Sequence, residues 1–155
     1  MHGEAIDHLV GLDGLQAVEV VDWDDHLEIV VESAFDGVAV CPRCGVVGEC
    51  RVKARPTHRV RDVPFQGRAT FLLWRKRRLW CAACGRTSTE SHPEIPPRAG
   101  ATSRLRRWVY QRLRSGQAHL ELARVERLSR YRVIEAYVAG AAGELGPFDA
   151  GLPFC

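Results

Sequence analysis

The chain has 155 residues, which suits one or two small domains, and 46% of them are hydrophobic, enough for a packed core. No apolar run approaches the roughly 18 residues of a membrane-spanning helix, and the N-terminus lacks the basic and apolar regions of a secretory signal. We therefore expect a cytoplasmic protein without a membrane partner. In that reducing compartment, paired cysteines bind metal or do redox chemistry rather than form disulfides.

The net charge of +3 conceals a strong asymmetry along the chain. Residues 1–37 contain ten acidic residues and no Lys or Arg, whereas residues 38–155 contain 22 basic and nine acidic residues, a net +13. Such a basic part favours a polyanionic partner, most often nucleic acid, although an ordinary solvated surface is the alternative. The acidic part either points away from that partner or folds back and screens the basic surface.

The sequence from 14 to 35, "GLQAVEVVDWDDHLEIVVESAF", predicts a β-hairpin with its turn at "DWDDH", because Asp side chains bond nearby backbone amides. Val18 and Val20 are expected to share one face of the first strand, with Asp22 as a further candidate. The apolar residues that alternate along the second strand are Leu27, Ile29 and Val31.

The region after the hairpin predicts a second β-rich part. Val60 and Val63 precede a turn at "PFQG", and residues 70–80 then predict one long strand that is rich in aromatic, leucine and basic residues. A helix is the alternative for this segment, because leucine and arginine also favour helices.

Four cysteines form the pattern C-x2-C, 36 residues, C-x2-C, and each pair is followed by glycine: Cys41, Cys44, Cys81 and Cys84. The x2 spacing lets two thiolates reach one ion from a tight turn, and glycine accepts the positive φ that ends it. Two such knuckles predict one closed, structural zinc site. An iron site with the same ligands stays open, and a redox pair would need a βαβ context that the sequence lacks.

The other cysteines and two histidines have simpler interpretations. Cys50 fits neither knuckle and is expected to be a small core residue in a strand, and Cys155 an exposed thiol. His58 and His92 are each expected to be a surface histidine, with contact to DNA as an alternative for His58.

Basic residues are dense between the two cysteine pairs, with Glu49 and Asp62 as the acids opposing them. Guanidinium groups on a rigid sheet position a protein on phosphates and can read guanine edges, so we favour DNA contact over a merely solvated strand. The candidates from this region are Arg59, Arg61, Arg75, Lys76, Arg77 and Arg78.

Residues 91–102 are rich in Pro, Gly and small polar residues and predict a linker. A helix is expected next, with Leu105, Trp108, Val109 and Leu113 at helical spacing. Thr102 or Ser103 is expected to be its N-cap, and Gly116 lies just past its end.

The segment "HLELARVERLSRYRVIEAYV" fits a helix-turn-helix, with a three-helix bundle as the alternative. Ser129 is expected to cap the second helix, and Arg127 occupies the turn position that usually holds glycine, which requires a left-handed conformation or a longer turn. The expected core residues are Leu120 or Leu122, Ala123, Leu128, Val133 and Ile134. The residues expected to face the major groove are Arg130, Tyr131, Arg132 and Glu135.

Together these patterns predict an α+β protein: a small β-rich, four-cysteine zinc-ribbon-like domain followed by a helical helix-turn-helix domain. The expected boundaries are a β-hairpin plus zinc-binding domain at 1–90, a linker at 91–102, a helix-turn-helix domain at 103–146 and a flexible tail at 147–155.

The order of these features over roughly residues 9–140 resembles the N-terminal part of transposases of the ISL3 insertion-sequence family. That family's zinc-binding domain carries an R-x-R-D-x-P-x-x-G-like segment between its knuckles, here Arg59 to Gly67. The resemblance implies that the four knuckle cysteines bind one structural Zn²⁺. It also implies that the helical segment binds double-stranded DNA at the terminal inverted repeats of a mobile element.

Family members continue into a longer catalytic domain with a DDE carboxylate triad, which holds two metal ions for strand cutting and joining. In this sequence only Glu144 and Asp149 follow the helices, so we expect a non-catalytic, nucleoid-associated DNA-binding protein or fragment. It would be a truncated element, one part of a split reading frame or a solo domain. The alternatives are an interaction module that pairs with a full-length transposase or with a second copy, and a transcription regulator.

Overall fold

The structure, a computed structural model, describes residues 10–34 and 37–145. Within these ranges the chain forms seven strands in two sheets, followed by three helices, so the predicted α+β class is confirmed. The predicted tail at 147–155 and its Cys155 lie outside the described residues.

The larger sheet has four strands in the order β1-β2-β5-β4. Their bounds are β1 Leu15–Asp22, β2 His26–Ser33, β4 Thr57–Phe65 and β5 Arg68–Arg75. The predicted hairpin is β1–β2, and the predicted "PFQG" turn joins β4 to β5, with positive φ at Gln66 and Gly67 as a two-residue hairpin turn requires. The hairpin does not stand alone, because β2 pairs in parallel with β5.

A β-bulge overturns one expectation for β1. Ala17 pairs with Val31 and Glu19 pairs with Val30, so Val18 is an extra residue and is 45% exposed. Val18 and Val20 therefore do not share a face, and Ala17 packs with Val20 on the core instead. The expectation for β2 is confirmed, since its three alternating apolar residues are all buried: Leu27, Ile29 and Val31.

The single long strand expected at 70–80 is wrong, although strand is the correct type. The chain leaves the larger sheet after Arg75 and enters a three-stranded sheet at Arg78, in the order β3-β6-β7. The strands of this smaller sheet are β3 Cys50–Ala54, β6 Arg78–Cys81 and β7 Thr87–Thr89. The break at Lys76 and Arg77 lets the basic run change sheet instead of placing charge on the buried face that Trp74 occupies.

The segment 91–102 is packed against the larger sheet. Ile95 is 1% exposed in the core that contains Trp74 and Leu72, and Ala101 forms a parallel bridge with Arg61 of β4. The segment thus carries the chain along the edge of β4 to the helices. The division of the chain into domains at 90 and 102 stays a prediction.

The helices are α1 Ser103–Arg114, α2 His119–Val125 and α3 Arg130–Ala141. Of the two expected cap candidates, Thr102 and not Ser103 caps α1, because the Thr102 hydroxyl oxygen accepts a hydrogen bond from the Leu105 amide at 3.2 Å. Gly116 follows the end of α1 with a φ of 97°, as its position in the sequence predicts.

The core of the three helices confirms most of the expected residues. Leu122, Ala123, Leu128 and Val133 are buried, and Leu120 is 60% exposed, which decides between the two leucine candidates. Ile134 is 52% exposed, so its assignment to the core is wrong. Ala136 takes that place, because the buried face of α3 runs through positions three residues apart, from Val133 to Ala136 and Ala139.

Candidate metal centre and nucleic-acid interface

The two cysteine knuckles have the same backbone geometry. In the first, the Gly45 amide donates to the Cys41 carbonyl at 2.8 Å, and in the second the Gly85 amide donates to the Cys81 carbonyl at 2.9 Å. Both glycines have positive φ, 73° and 67°, which a residue with a side chain rarely adopts. The glycine after each pair therefore closes the turn, as the sequence predicts.

The four thiols converge on one point. The Sγ atoms of Cys41 and Cys84 lie 3.8 Å apart, as do those of Cys44 and Cys81, and all four lie within 4.8 Å of one another. A tetrahedral ion with zinc–sulfur bonds of about 2.3 Å requires sulfur–sulfur distances of about 3.8 Å. The cluster thus fits one structural Zn²⁺, and its four sulfurs complete the coordination.

The electrostatics of the thiols also favour a cation. Backbone amides of Cys44 and Arg43 lower the pKa of Cys41 to about 6. At Cys44, an exposed residue, the Val46 amide acts in the same direction, but partial desolvation of the thiol and its contacts with the three neighbouring thiols outweigh it and raise the pKa to about 12. Four thiolates at these distances repel one another, so a divalent ion is what allows all of them to ionise.

The remaining cysteine and histidine expectations have mixed outcomes. Cys50 lies in β3 opposite Cys81 and is half-buried, outside the four-sulfur cluster, and burial raises its pKa to about 11. His58 and His92 are also half-buried rather than fully on the surface. The His92 ring lies edge-on to Trp74, and its Nε2 lies 2.8 Å from the Asp13 carbonyl oxygen.

The segment from Arg59 to Gly67 connects the sheet to the helices. Arg59 Nε donates to Glu28 at 3.1 Å, and its guanidinium lies 3.4 Å from the centroid of the Phe71 ring. Arg61 is 5% exposed, and its Nη2 donates to the Glu126 carbonyl at the end of α2, at 3.0 Å. The two arginines therefore have different surroundings, one on the sheet surface and the other beneath the helices.

The next residue of that segment, Asp62, is 1% exposed and forms a buried polar network. It accepts hydrogen bonds from the Thr102 hydroxyl at 2.7 Å and from Arg104 Nε at 2.8 Å, and Arg104 Nη2 donates to its second oxygen. Because Thr102 also caps α1, the network fixes the first turn of that helix against β4. Sequence reasoning missed Arg104, and the helical spacing of α1 gave no signal that this arginine would be buried.

The candidate DNA contacts fall into two groups. Arg61 is buried, and Arg77 is held by Glu90 through Nε at 2.6 Å, so neither side chain stands on the outer surface. The candidates that remain partly or fully exposed are Arg59, Arg75, Lys76, Arg78, Arg130, Tyr131 and Arg132.

The acidic hairpin lies against the basic strands of the larger sheet. Oε1 of Glu32 in β2 lies 3.5 Å from Nη1 of Arg75, and Asp22 of β1 pairs with Arg68. With the Glu28–Arg59 pair, these contacts agree with the alternative in which the acidic part folds back and screens basic residues.

The turn between α2 and α3 has the geometry that the sequence requires. Arg127 has a φ of 50°, which decides for the left-handed conformation over a longer turn, and the Leu128 amide donates to the Ala123 carbonyl at 2.9 Å. The Ser129 hydroxyl oxygen accepts from the Arg132 amide at 3.2 Å and caps α3, as predicted. Two short helices thus meet at a tight turn, and Arg130 and Tyr131 are exposed at the start of the second.

No helix within the described residues is long and apolar enough to cross a membrane. Residues 37–84 match the model of the zinc finger of the transposases IS204, IS1001, IS1096 and IS1165. The match spans both knuckles and confirms the predicted resemblance to the N-terminal region of ISL3-family transposases over these residues. No curated protein and no solved structure matches the chain.

Proposed function

We propose that this chain binds double-stranded DNA at the terminal inverted repeats of a mobile element, as the end-recognition part of an ISL3-type transposase rather than its strand-cutting part. The observation that carries the proposal is the matched zinc finger joined to a helical segment whose last helix begins with exposed basic and aromatic residues. In this proposal the protein has no catalytic role of its own and acts by occupying the DNA end.

The two parts have different tasks in this proposal. The zinc-stapled sheet holds Arg78 and its basic neighbours rigidly, so that they position the protein on phosphates. Helix α3 enters the major groove, where Arg130 and Tyr131 contact base edges. The buried Arg61 and Asp62 contacts fix the helices on the larger sheet, and the chain passes directly from that sheet to the zinc-stapled one between Arg75 and Arg78.

The test compares the affinity for an inverted-repeat duplex with that for a scrambled duplex of equal length. Arg130→Gln and Tyr131→Ala are expected to reduce specific affinity by about 1–3 kcal/mol each, with little change for the scrambled duplex. Arg114→Gln, which removes one exposed charge at the end of α1, is the matched control. Equal losses for the three variants on both duplexes would contradict base recognition by α3.

A second candidate function, contact with a full-length transposase or a second copy of the chain, is favoured by one observation. Tyr131, Ile134 and Val138 follow one face of α3 and are 76%, 52% and 60% exposed, an apolar stripe that is unusual on a free surface. Ile134→Glu should then abolish self-association or transposase binding, measured by sedimentation. If Ile134→Glu and the wild type have the same sedimentation coefficient, both alone and mixed with transposase, the result would argue against this function.

A further inference from the structure

A cavity of about 410 Å³ lies between the larger sheet and the turn that precedes α3. Four arginines line it, against one carboxylate, that of Asp25, among the described residues that form its walls. The arginines are Arg59, Arg61, Arg127 and Arg132. Glu28 pairs with Arg59 and Asp25 with Arg127, so Arg61 and Arg132 are the arginines of this cavity that the described residues leave without a hydrogen-bonded carboxylate, and they indicate an anionic ligand.

Arg61 supplies the most specific sign of a ligand. Its side chain is almost fully buried, and Nη1 has no hydrogen-bond partner among the residues that the structure describes. Nη2 bonds the Glu126 carbonyl, and the carboxylates of Glu126 and Asp62 attract Arg61 through space, but neither accepts a hydrogen bond from Nη1. A buried guanidinium with an unsatisfied donor is costly, and an anion in the cavity would satisfy it.

The start of α3 faces the same cavity through Ser129. This helix has twelve residues, and its first turn contains no acidic residue that would offset the positive end of the helix dipole. The free amides of a helix N-terminus are suited to binding a phosphate group. The buried arginine and the helix end therefore point to the same class of ligand.

Arg132 connects this cavity to a second one of about 310 Å³, and Gly100 and Ser129 line both. A Cβ at Gly100 would lie 2.2 Å from Arg132 Nη2, so the guanidinium occupies its place because residue 100 has no side chain. Because Gly100 has no side chain, the Arg132 guanidinium can lie beside it and line both cavities.

We propose that the cavity of about 410 Å³ binds a phosphate group, held by Arg61, Arg132 and the first amides of α3. The phosphate is either a phosphodiester of bound DNA or free inorganic phosphate, and only the first source rests on the proposed function. Arg127 lies 3.3 Å from Asp25, and both side chains are more than half exposed, so this weak pair can open and let Arg127 join the ligand.

The first experiment titrates inorganic phosphate into the zinc-loaded full chain at constant ionic strength, with chloride as the reference. Amide NMR shifts of residues 129–132 are the readout. We expect saturable binding, weakened about tenfold or more in Arg132→Gln and in Gly100→Ala, as for the loss of one charge-assisted hydrogen bond. Arg124→Gln, an exposed arginine outside the cavity, should leave it unchanged. A linear response, or equal binding in all four proteins, would overturn the proposal.

The second experiment separates the two sources by the salt dependence of duplex affinity. If the phosphate belongs to DNA, Gly100→Ala and Arg132→Gln lower the magnitude of the salt slope by about one, whereas Arg124→Gln does not. Unchanged slopes together with lost phosphate binding would support free phosphate as the ligand. Phosphate binding in a chain that binds no DNA would uphold this inference while the proposed function fails. If every variant keeps full DNA affinity and binds phosphate identically, this inference fails while the proposed function is upheld.

Discussion

Arg104 of α1 and Asp62 of β4 form an ion pair whose side chains are 3% and 2% exposed. It joins the first turn of the helical part to the motif that lies between the cysteine knuckles. A buried pair of this kind stabilises the fold little relative to apolar residues, but removing one partner leaves an uncompensated charge. The pair therefore makes the position of the helices on the sheet sensitive to a single substitution.

Asp62→Ala is expected to lower the free energy of unfolding by about 3–5 kcal/mol, because Arg104 is left charged and buried without its acceptor. Asp22→Ala is the matched control, since Asp22 also pairs with an arginine but is 64% exposed, and its loss should cost at most about 1 kcal/mol. Urea denaturation of the zinc-loaded proteins measures both. Equal losses would show that the buried network has no special role.

Loss of one zinc ligand is expected to unfold residues 38–90 and to weaken DNA binding, because a four-sulfur zinc site supplies much of the folding energy of a small domain. Cys81→Ser should bind less than one zinc per chain and lose the amide NMR dispersion of the knuckles. Cys50→Ser removes a thiol outside the cluster and should keep both. Full folding and affinity in Cys81→Ser would contradict a structural metal.

His58 predicts a pH dependence of stability. Burial lowers the pKa of His58 below its ordinary 6.5, with a further contribution from Lys76, so the folded state binds this proton less readily than the unfolded chain. Its contribution to stability is complete above pH 6.5 and is lost as the pH falls through and below that value. When the pH falls from about 7.5 to about 5.5, the range in which a histidine ordinarily titrates, His58→Gln should therefore lose less stability than the wild type. Parallel curves in denaturant titrations would contradict the assignment.

The acidic hairpin is expected to restrain DNA binding by occupying arginines of the sheet. Glu28 accepts from Arg59 and is 18% exposed, so Glu28→Gln should free that guanidinium and tighten duplex binding at low salt. Glu144→Gln changes the net charge equally at an exposed position after α3. If both variants change affinity by the same factor, net charge alone is responsible and the local pair is not.

The features that the sequence predicts correctly are those set by local spacing. The knuckle cysteines and the Ser129 cap follow from a few neighbouring residues. The same local patterns narrow the α1 cap to Thr102 or Ser103 and require either a left-handed conformation or a longer turn at Arg127. The bulge at Val18 and the change of sheet after Arg75 depend on partner strands that are distant in the chain. The apolar residues of α3 lie on both of its faces, and only packing against α1 and α2 selects the face that leaves Ile134 outside the core.

The contacts that join the two parts were beyond sequence reasoning for the same reason. Arg61 appears in the sequence as one of a run of basic residues and Asp62 as an acid that opposes them, whereas the burial of both results from the helices packing on β4. An arginine in a dense basic segment is ordinarily expected on the surface. Its unsatisfied donor becomes visible only once the chain is folded.

We propose that the chain recognises the ends of a mobile element. The most direct test is selection of bound DNA from a random pool, with zinc-loaded protein at near-physiological salt. We predict recovery of one motif that matches an inverted repeat flanking the gene. Recovery of no motif, with binding that disappears between about 50 and 200 mM salt, would contradict the claim and show that the basic surface binds DNA without sequence preference.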